Sequence, residues 1–398
     1  MSTTDDFIRN PPTDPEVAEQ IISTIRDWVK RDVIPQATEL ELADAYPTEM
    51  VEQMKEFGLF GATVPVEYGG LGLDASTYAR VIEEVSAGWM SLSGVVNSHL
   101  ICATMIVRHG TDEQRHRWLP DLCSGARRGC FSLSEPDTGS DAAALKCRAR
   151  LDGNEWHITG TKMWVTNGDH AQIVALLARS PEGISAFIIE KQSNVSTDTL
   201  SISRKIDKLG YRGLETVEMV YDNHVVPTGN VLGLEDGLGR GFHMALGALE
   251  IGRINIAARA VGVGRAAFEA ALAYSRQREA FGKPIAKHQA IGFKLAEMAT
   301  KLEASKLLTA NAARKFDSGE RSDLEAGMAK LFASEAAQEI ALDAMRIHGG
   351  YGYTTEFPVE RFYRDTPLMI IGEGTSEIQK MVIARRLLEE AEKTDPLP

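Results

Sequence analysis

The sequence predicts an α+β chain that is mostly α: an N-terminal helical domain over residues 1–124, a middle antiparallel β domain over 125–238 and a C-terminal helical bundle domain over 239–398. Three observations predict it. Apolar residues recur at helical spacing up to about Ser124. Short β-branched or aromatic runs, split by Gly, Pro, Asn and Ser, then continue to about Pro227. Helical period returns near Gly241 and persists. Long helices, a small β region and long helices again give a layered three-part chain.

The elements follow in order. Residues 1–13 read as a loose polar arm. Asp14-Pro15 starts a helix, with Asp as cap and Pro at the first helical position, and Val17, Ile21, Ile25 and Trp28 share one face. Pro35 ends or kinks it. Helical pattern follows over Met50–Phe57, Thr77–Ala87 and Leu92–His109, the last apolar almost all round and so expected in the core. Arg148–Leu151 and Trp156–Gly160 flank the turn signature Asp152-Gly153-Asn154. Ile173–Leu177, Ile184–Ile189, Leu200–Arg204 and Thr216–Tyr221 read as further strands. Ser322 and Glu325 form a capping-box signature for a helix running to about Ile347.

Bulk properties exclude several classes. The 398 residues carry a net charge of −13, which argues against a nucleic-acid binder while leaving room for a local basic patch facing a phosphorylated ligand. No apolar run approaches ~18 residues, so no membrane span is expected. The N-terminus shows no secretory or transit signal. Cys102, Cys123, Cys130 and Cys147 lack metal-ligand spacing and read as reduced, buried thiols, so no metal site and a cytoplasmic location are expected.

Several stretches carry chemistry. Met369–Ile378 places a single acid, Glu373, between Gly372 and Gly374, with Thr375 and Ser376 offering capping hydroxyls to a helix over Ile378–Leu388. Two glycines let the backbone bend sharply and a ligand come close, and a helix start offers free N–H groups to an anion. The alternative is a capped helix with an acid near its positive end. Phe131–Asp141 reads either as a long surface turn or as a hydroxyl-rich loop gripping a polar cofactor. In Lys162–Gly168, Trp164 and Thr166 pair a flat apolar face with a hydroxyl, which suits a planar heterocycle; a core Trp on a strand is the alternative. Arg276–Lys283, followed by His288 and Gln289, breaks a helix with arginines able to grip a pyrophosphate, or is a charged interhelical loop. His348–Tyr353 ends a helix on glycines. Gly262-Val263-Gly264-Arg265-Ala266-Ala267 matches a dinucleotide-binding pattern, but no strand precedes it, and close helix–helix packing explains it better.

Together these segments resemble the acyl-CoA dehydrogenase family of flavoproteins, from about Asp14 to Leu388. Phe131–Asp141, Lys162–Gly168, Lys208–Arg212, Arg278–Lys283, His348–Tyr353 and Gly372–Gln379 occur in family order. The resemblance implies a helical domain, a β domain and a four-helix C-terminal domain, with tightly bound FAD and a homotetramer or dimer. Phe131, Leu133 and Ser134 would contact the flavin from one loop, and Trp164 and Thr166 from the next, with Thr166 near flavin N5. Arg278, Phe281 and Gln289, with Arg346, Gly349 and Gly350, would hold the FAD of a neighbouring subunit. Thr375, Ser376 and Glu377 would take the pyrophosphate. Ser140, Glu250, Arg253 and Gly374 match acyl-CoA contacts, and Glu373 matches the catalytic base.

The implied function is FAD-dependent α,β-dehydrogenation of an acyl-CoA thioester in fatty acid metabolism, with electrons passed to an electron-transfer flavoprotein. Alternatives are a dehydrogenase of a carrier-protein-bound acyl group, or a flavin oxidase or monooxygenase relative. A second base position known in the family falls on Gly252, which leaves Glu250 as the alternative acid. Five residues bear on substrate and cofactor. Gly372 stands where many members carry a bulky aromatic, Leu214 replaces a common serine, and Arg346 replaces a common glutamine. Asn97 and His99 fall at the expected pocket floor, where they mark either a polar substrate tail or satisfied core residues.

Overall fold

The computed structural model describes residues 10–392. The arm expected over residues 1–13 lies outside it for 1–9. Residues 10–13 are pinned rather than loose: Asn10 Nδ2 donates to Thr63 O (2.8 Å) and Leu73 O (2.9 Å), and Thr13 N donates to Asp74 Oδ2 (2.8 Å).

Helix α1 (Pro15–Trp28) begins as the sequence predicts, with Asp14 accepting from Glu16 N and Val17 N. Its buried face is Ala18, Ile22, Ile25 and Trp28, so Ile25 and Trp28 are buried as expected while Ala18 and Ile22 take the places of Val17, 48% exposed, and Ile21. Before Pro35 the helix widens into a π turn over Val29–Val33 and continues as α2 (Ile34–Leu42). The wider turn accommodates the N–H that proline lacks. Then come α3 (Thr48–Glu56), α4 (Ala75–Gly88), α5 (Met90–His109) and α6 (Asp112–Cys123), the last opened by a capping box between Thr111 and Gln114. By length and composition α5 is apolar enough to cross a membrane, which the sequence reading missed. Its most apolar window is 94% buried within the fold, so it is the core helix expected there.

The middle region holds β1 (Gly129–Ser132), β2 (Arg148–Asp152), β3 (Glu155–Thr166), β4 (Ile173–Ser180), β5 (Gly183–Glu190), β6 (Leu200–Lys205) and β7 (Thr216–Pro227) in one sheet, ordered β1-β4-β2-β3-β7-β6 with β5 also on β4. The β2–β3 turn carries Gly153 at φ +60°, as the turn signature predicts. Pairing is mainly antiparallel, but β1 lies parallel to β4, because the chain leaves through the β2–β3 hairpin before returning beside β1. Strand β4 is buried on both faces. Ile173, Ala175 and Leu177 join the helical core, while Val174, Leu176 and Ala178 form the interior of the β region. That two-faced strand welds sheet to helices.

After the single turn α7 (Leu234–Gly237) comes α8 (Gly241–Gln277), which packs along α4, α5, α9, α10 and α11. The hairpin β8 (Glu279–Ala280) and β9 (Lys283–Pro284) leads to α9 (Gln289–Asp317), α10 (Asp323–His348), α11 (Val359–Ile371) and α12 (Ser376–Ala391). The capping box expected at α10 does not form. Ser322 holds the cap position at φ −121° and ψ 8°, outside capping geometry, and its buried hydroxyl has no partner among the described residues. Gly262 confirms the packing role: a Cβ there would lie 2.3 Å from Glu83 O of α4.

Gly262→Ala therefore has to push α4 and α8 apart. It should lower stability by about 1–3 kcal/mol, read as a lower thermal midpoint. Gly264→Ala, whose Cβ meets nothing nearer than 3.6 Å, should leave the midpoint unchanged or raise it.

Candidate active site

The apolar end of α11 stops at Ile371, and the chain then reverses through Glu373 at φ +55° and Gly374 at φ +91°. Positive φ on a glutamate stores strain of about 1–3 kcal/mol, so the surroundings must hold it. They do so from α10 and α12. Lys330 Nζ donates to Ile370 O (3.0 Å) and Gly374 O (2.8 Å), and Gln379 Nε2 donates to Glu373 O (3.2 Å) and Gly374 O (3.1 Å). Thr375 caps α12 by accepting from Ile378 N (3.4 Å), and Ser376 Oγ donates to Glu335 Oε1 (2.7 Å). Lys330 is fully buried. Burial pulls its pKa down to about 8, against the raising influence of Glu373 and Glu335.

The turn aims the Glu373 carboxylate at α5 and α8. Oε1 accepts from Asn97 Nδ2. Oε2 is buried without a hydrogen bond among the described residues and faces the bare Cα of Gly252, where a Cβ would come within 2.1 Å of it. Burial raises the Glu373 pKa above the ordinary carboxylate value, opposed by the charge of Arg259, the Asn97 hydrogen bond, and the charges of Lys330 and Arg253. A buried acid with elevated basicity, short of direct ion pairing, is a candidate proton acceptor.

The next residue on α5 holds the β region. Ser98 Oγ donates to Thr166 O (3.0 Å), and Asn167 Nδ2 donates to Val95 O (2.8 Å). The β3–β7 register slips between Lys162 and Val165, and this bulge turns Trp164 outward at φ +64° and 58% exposure. Trp164 is therefore a presented aromatic face, not a core residue. Met163 N donates to Ser134 O (2.9 Å), and buried Lys162 donates to Leu133 O (2.8 Å) and pairs with Glu135 (2.8 Å). Glu135 also accepts from Lys146 N and Cys147 N. The loop that carries half-buried Phe131, Leu133 and Ser134 thus lies beside the strand that carries Trp164 and Thr166.

A second cluster lies at the hairpin end of the bundle. Arg278, Gly349 and Gly350 line a cleft of about 490 Å³ with Tyr274 and His348. A Cβ on either glycine would meet nothing within 4 Å. Phe281 stands 95% exposed at the hairpin tip, Gln289 is exposed at the start of α9, and exposed Arg346 pairs with Asp343 (3.2 Å). A displayed aromatic face, a loop rich in backbone donors and an open glycine cleft fit the parts of a flavin dinucleotide.

The remaining predicted residues separate. Ser140 is exposed on its loop. Glu250 is half-buried on α8, and burial raises its pKa while Arg108 opposes the shift. Arg253 is 7% exposed with Nε unpaired. His99 is a satisfied core residue, its ring nitrogens engaged by Phe60 O (3.0 Å) and Gly129 N (2.9 Å). Asn97 is the floor residue that reaches the site. Sequence reading assigned no role to Lys330 or Arg259. A single basic residue on a long helix carries no signal of burial, and in each case only packing reveals it.

The family profiles for the acyl-CoA dehydrogenase N-terminal, middle and C-terminal domains match residues 15–126, 130–224 and 239–388. The short-chain specific acyl-CoA dehydrogenase of Bos taurus mitochondria is 42% identical over 382 residues, covering 94% of this chain and 91% of that protein. Among solved structures, a chain of the Acidaminococcus fermentans electron transferring flavoprotein study superposes with a TM-score of 0.90 at 36% identity, covering 94% of this chain and 99% of that one. Butyryl-CoA dehydrogenase from Megasphaera elsdenii gives 0.88 at 34%, covering 94% and 99%. The prolyl acyl carrier protein oxidase AnaB gives 0.88 at 32%, covering 94% and 100%.

Lys330→Met should leave Ile370 O without its side-chain donor and Gly374 O with Gln379 alone. The expected cost is about 1–3 kcal/mol, seen as a lower thermal midpoint and as easier proteolysis of the turn around Glu373.

Proposed function

This chain belongs to the acyl-CoA dehydrogenase family, and we propose that it removes the α- and β-hydrogens of an acyl-CoA thioester, with Glu373 as the base and an electron-transfer flavoprotein as electron acceptor. It is an FAD-dependent oxidoreductase acting on CH–CH bonds. The observation that carries the proposed roles is the sharing of α5: Asn97 holds Glu373 and Ser98 holds Thr166, so base and flavin-facing edge are fixed by consecutive residues.

The chemistry asks for a base beside a weakly acidic C–H. FAD, when bound, supplies the acceptor for the hydride from the β-carbon. Phe131, Leu133, Ser134, Trp164 and Thr166 would hold its ring, and Thr375 to Glu377, with the Arg278 cleft of a neighbouring subunit, its remainder. Glu373 then takes the α-proton. Positioned base catalysis contributes about 10²–10⁴-fold. The Glu373 N–H has no acceptor among the described residues, which leaves it free to bond the thioester oxygen as charge develops there. Ser140, Glu250, Arg253 and Gly374 are assigned to the thioester and its carrier. Exposed Phe281, Tyr353, Ile371 and Met381 are apolar surface that a homotetramer or dimer would cover. Four buried free thiols fit a cytoplasmic setting.

A second reading, a carrier-protein-bound acyl substrate, draws on Gly372. A Cβ there would meet only Leu368, so the space beside the base is open to a ring-bearing acyl group. Bleaching of the flavin by acyl-CoA and by acyl-carrier thioesters, compared by stopped flow, separates the two.

Glu373→Gln should keep its FAD and lose bleaching by at least about 10²-fold. Unchanged bleaching would remove Glu373 as the base. Gly252→Ala should displace Oε2 and lower the bleaching rate by about 10²-fold with flavin content intact.

A further inference from the structure

Asn97 sits midway along α5, only 6% exposed, on a helix whose other core-facing residues are mostly apolar. Its Nδ2 donates to Glu373 Oε1, and among the described residues it is the only side chain that hydrogen-bonds this carboxylate. The turn that carries Asn97 is anchored from α8. Arg259 Nη2 donates to Ser93 O (3.2 Å), the carbonyl that the Asn97 N–H also bonds within the helix. Arg259 is held in turn by Asn255 Oδ1 (2.6 Å) and Tyr211 Oη (3.2 Å), and Asn255 Nδ2 donates to Tyr78 Oη (2.7 Å). Each member of this chain is at most 6% exposed. Asn97 is thus fixed from behind and engages the acid in front.

We propose that Asn97 is the positioning residue of the base: it fixes the Glu373 carboxylate through Oε1, favours its ionised form, and leaves Oε2 as the oxygen that receives the proton. This rests on the reading of Glu373 as general base. Oε2 has no hydrogen-bond partner among the described residues and lies against the bare Cα of Gly252, so none of them competes for its lone pairs. The charged and titratable groups facing Glu373 are Arg253 and Arg259 from α8, Lys330 from α10, Tyr78 from α4 and Tyr211 from the segment before β7. None of them hydrogen-bonds the carboxylate. The cations favour ionisation at a distance, while orientation is left to a neutral amide, which donates without forming an ion pair that would quench the base.

The test compares Asn97→Leu and Asn97→Asp with the flavin-loaded wild type. Infrared difference titration follows the protonated carboxyl band that vanishes in Glu373→Gln, and the pH profile of kcat/KM is recorded alongside. Asn97→Leu should raise the midpoint and the acid limb together by about one pH unit. Asn97→Asp should raise them further, because a second carboxylate opposes ionisation. An Asn97 that serves only packing would lower activity at every pH without moving either. Midpoints unmoved in both variants would overturn the proposal. If Asn97→Leu does not retain flavin, the near-isosteric Asn97→Asp decides alone. A shifted carboxyl midpoint in a protein that no thioester bleaches would sink the reaction assignment and keep the carboxylate clamp. Bleaching with an unmoved midpoint would do the reverse.

Discussion

The α5 turn at Asn97 and Ser98 is the constraint on which the site depends. Two consecutive residues of one buried helix fix the acid of the C-terminal domain and the last residue of β3. A core helix has almost no freedom to rotate or slide, because every shift exposes apolar surface or overlaps neighbours. Its register therefore sets the gap between Glu373 and the end of β3 at Thr166. The helical domain, which offers no proposed catalytic group of its own, acts as the ruler between the two domains that do.

The acid is held by opposing demands. Burial makes its charge costly, and a positive φ makes its backbone costly. Apart from the Asn97 amide, both are offset by groups that avoid touching the carboxylate directly. Lys330 and Gln379 bond the backbone of the turn, while Arg253 and Arg259 act through space. A direct ion pair would have stabilised the charge more strongly and quenched the basicity that the proposed role needs. Glu135 in the β region is the opposite case: its oxygens are taken up directly by Lys162, Lys146 N and Cys147 N, which stiffens the loop that carries Leu133 and Ser134.

Much of this was legible in the sequence. The order of helices and strands, the Asp14 cap, the Gly153 turn and the isolated acid between two glycines are local signals, each set by a few adjacent residues. What escaped was set at a distance. Val17 and Ala18 look equally suited to a buried stripe, and only the neighbouring helix decides between them. Ser322 carries the right residue for a cap in the wrong backbone conformation. Trp164 reads as a strand residue until the β3–β7 bulge turns it out. Lys330 and Arg259 sit on long helices, where a basic residue ordinarily faces water, and their burial follows from the packing of α10 and α8.

Gly252 shows why the acid stands where it does. A side chain at Gly252 would begin 2.1 Å from Oε2, so that position and Glu373 point into one small volume. A carboxylate reaching the spot from α8 and one reaching it from the α11–α12 turn exclude each other sterically. The glycine is thus a consequence of the glutamate: with the acid supplied by the turn, α8 must present bare backbone. That also separates the two acids weighed from the sequence. Glu250, two residues back on α8, is half-buried with its shift opposed first by Arg108, whereas Glu373 fills the space that Gly252 leaves. The proposed base is singled out by volume before it is singled out by charge.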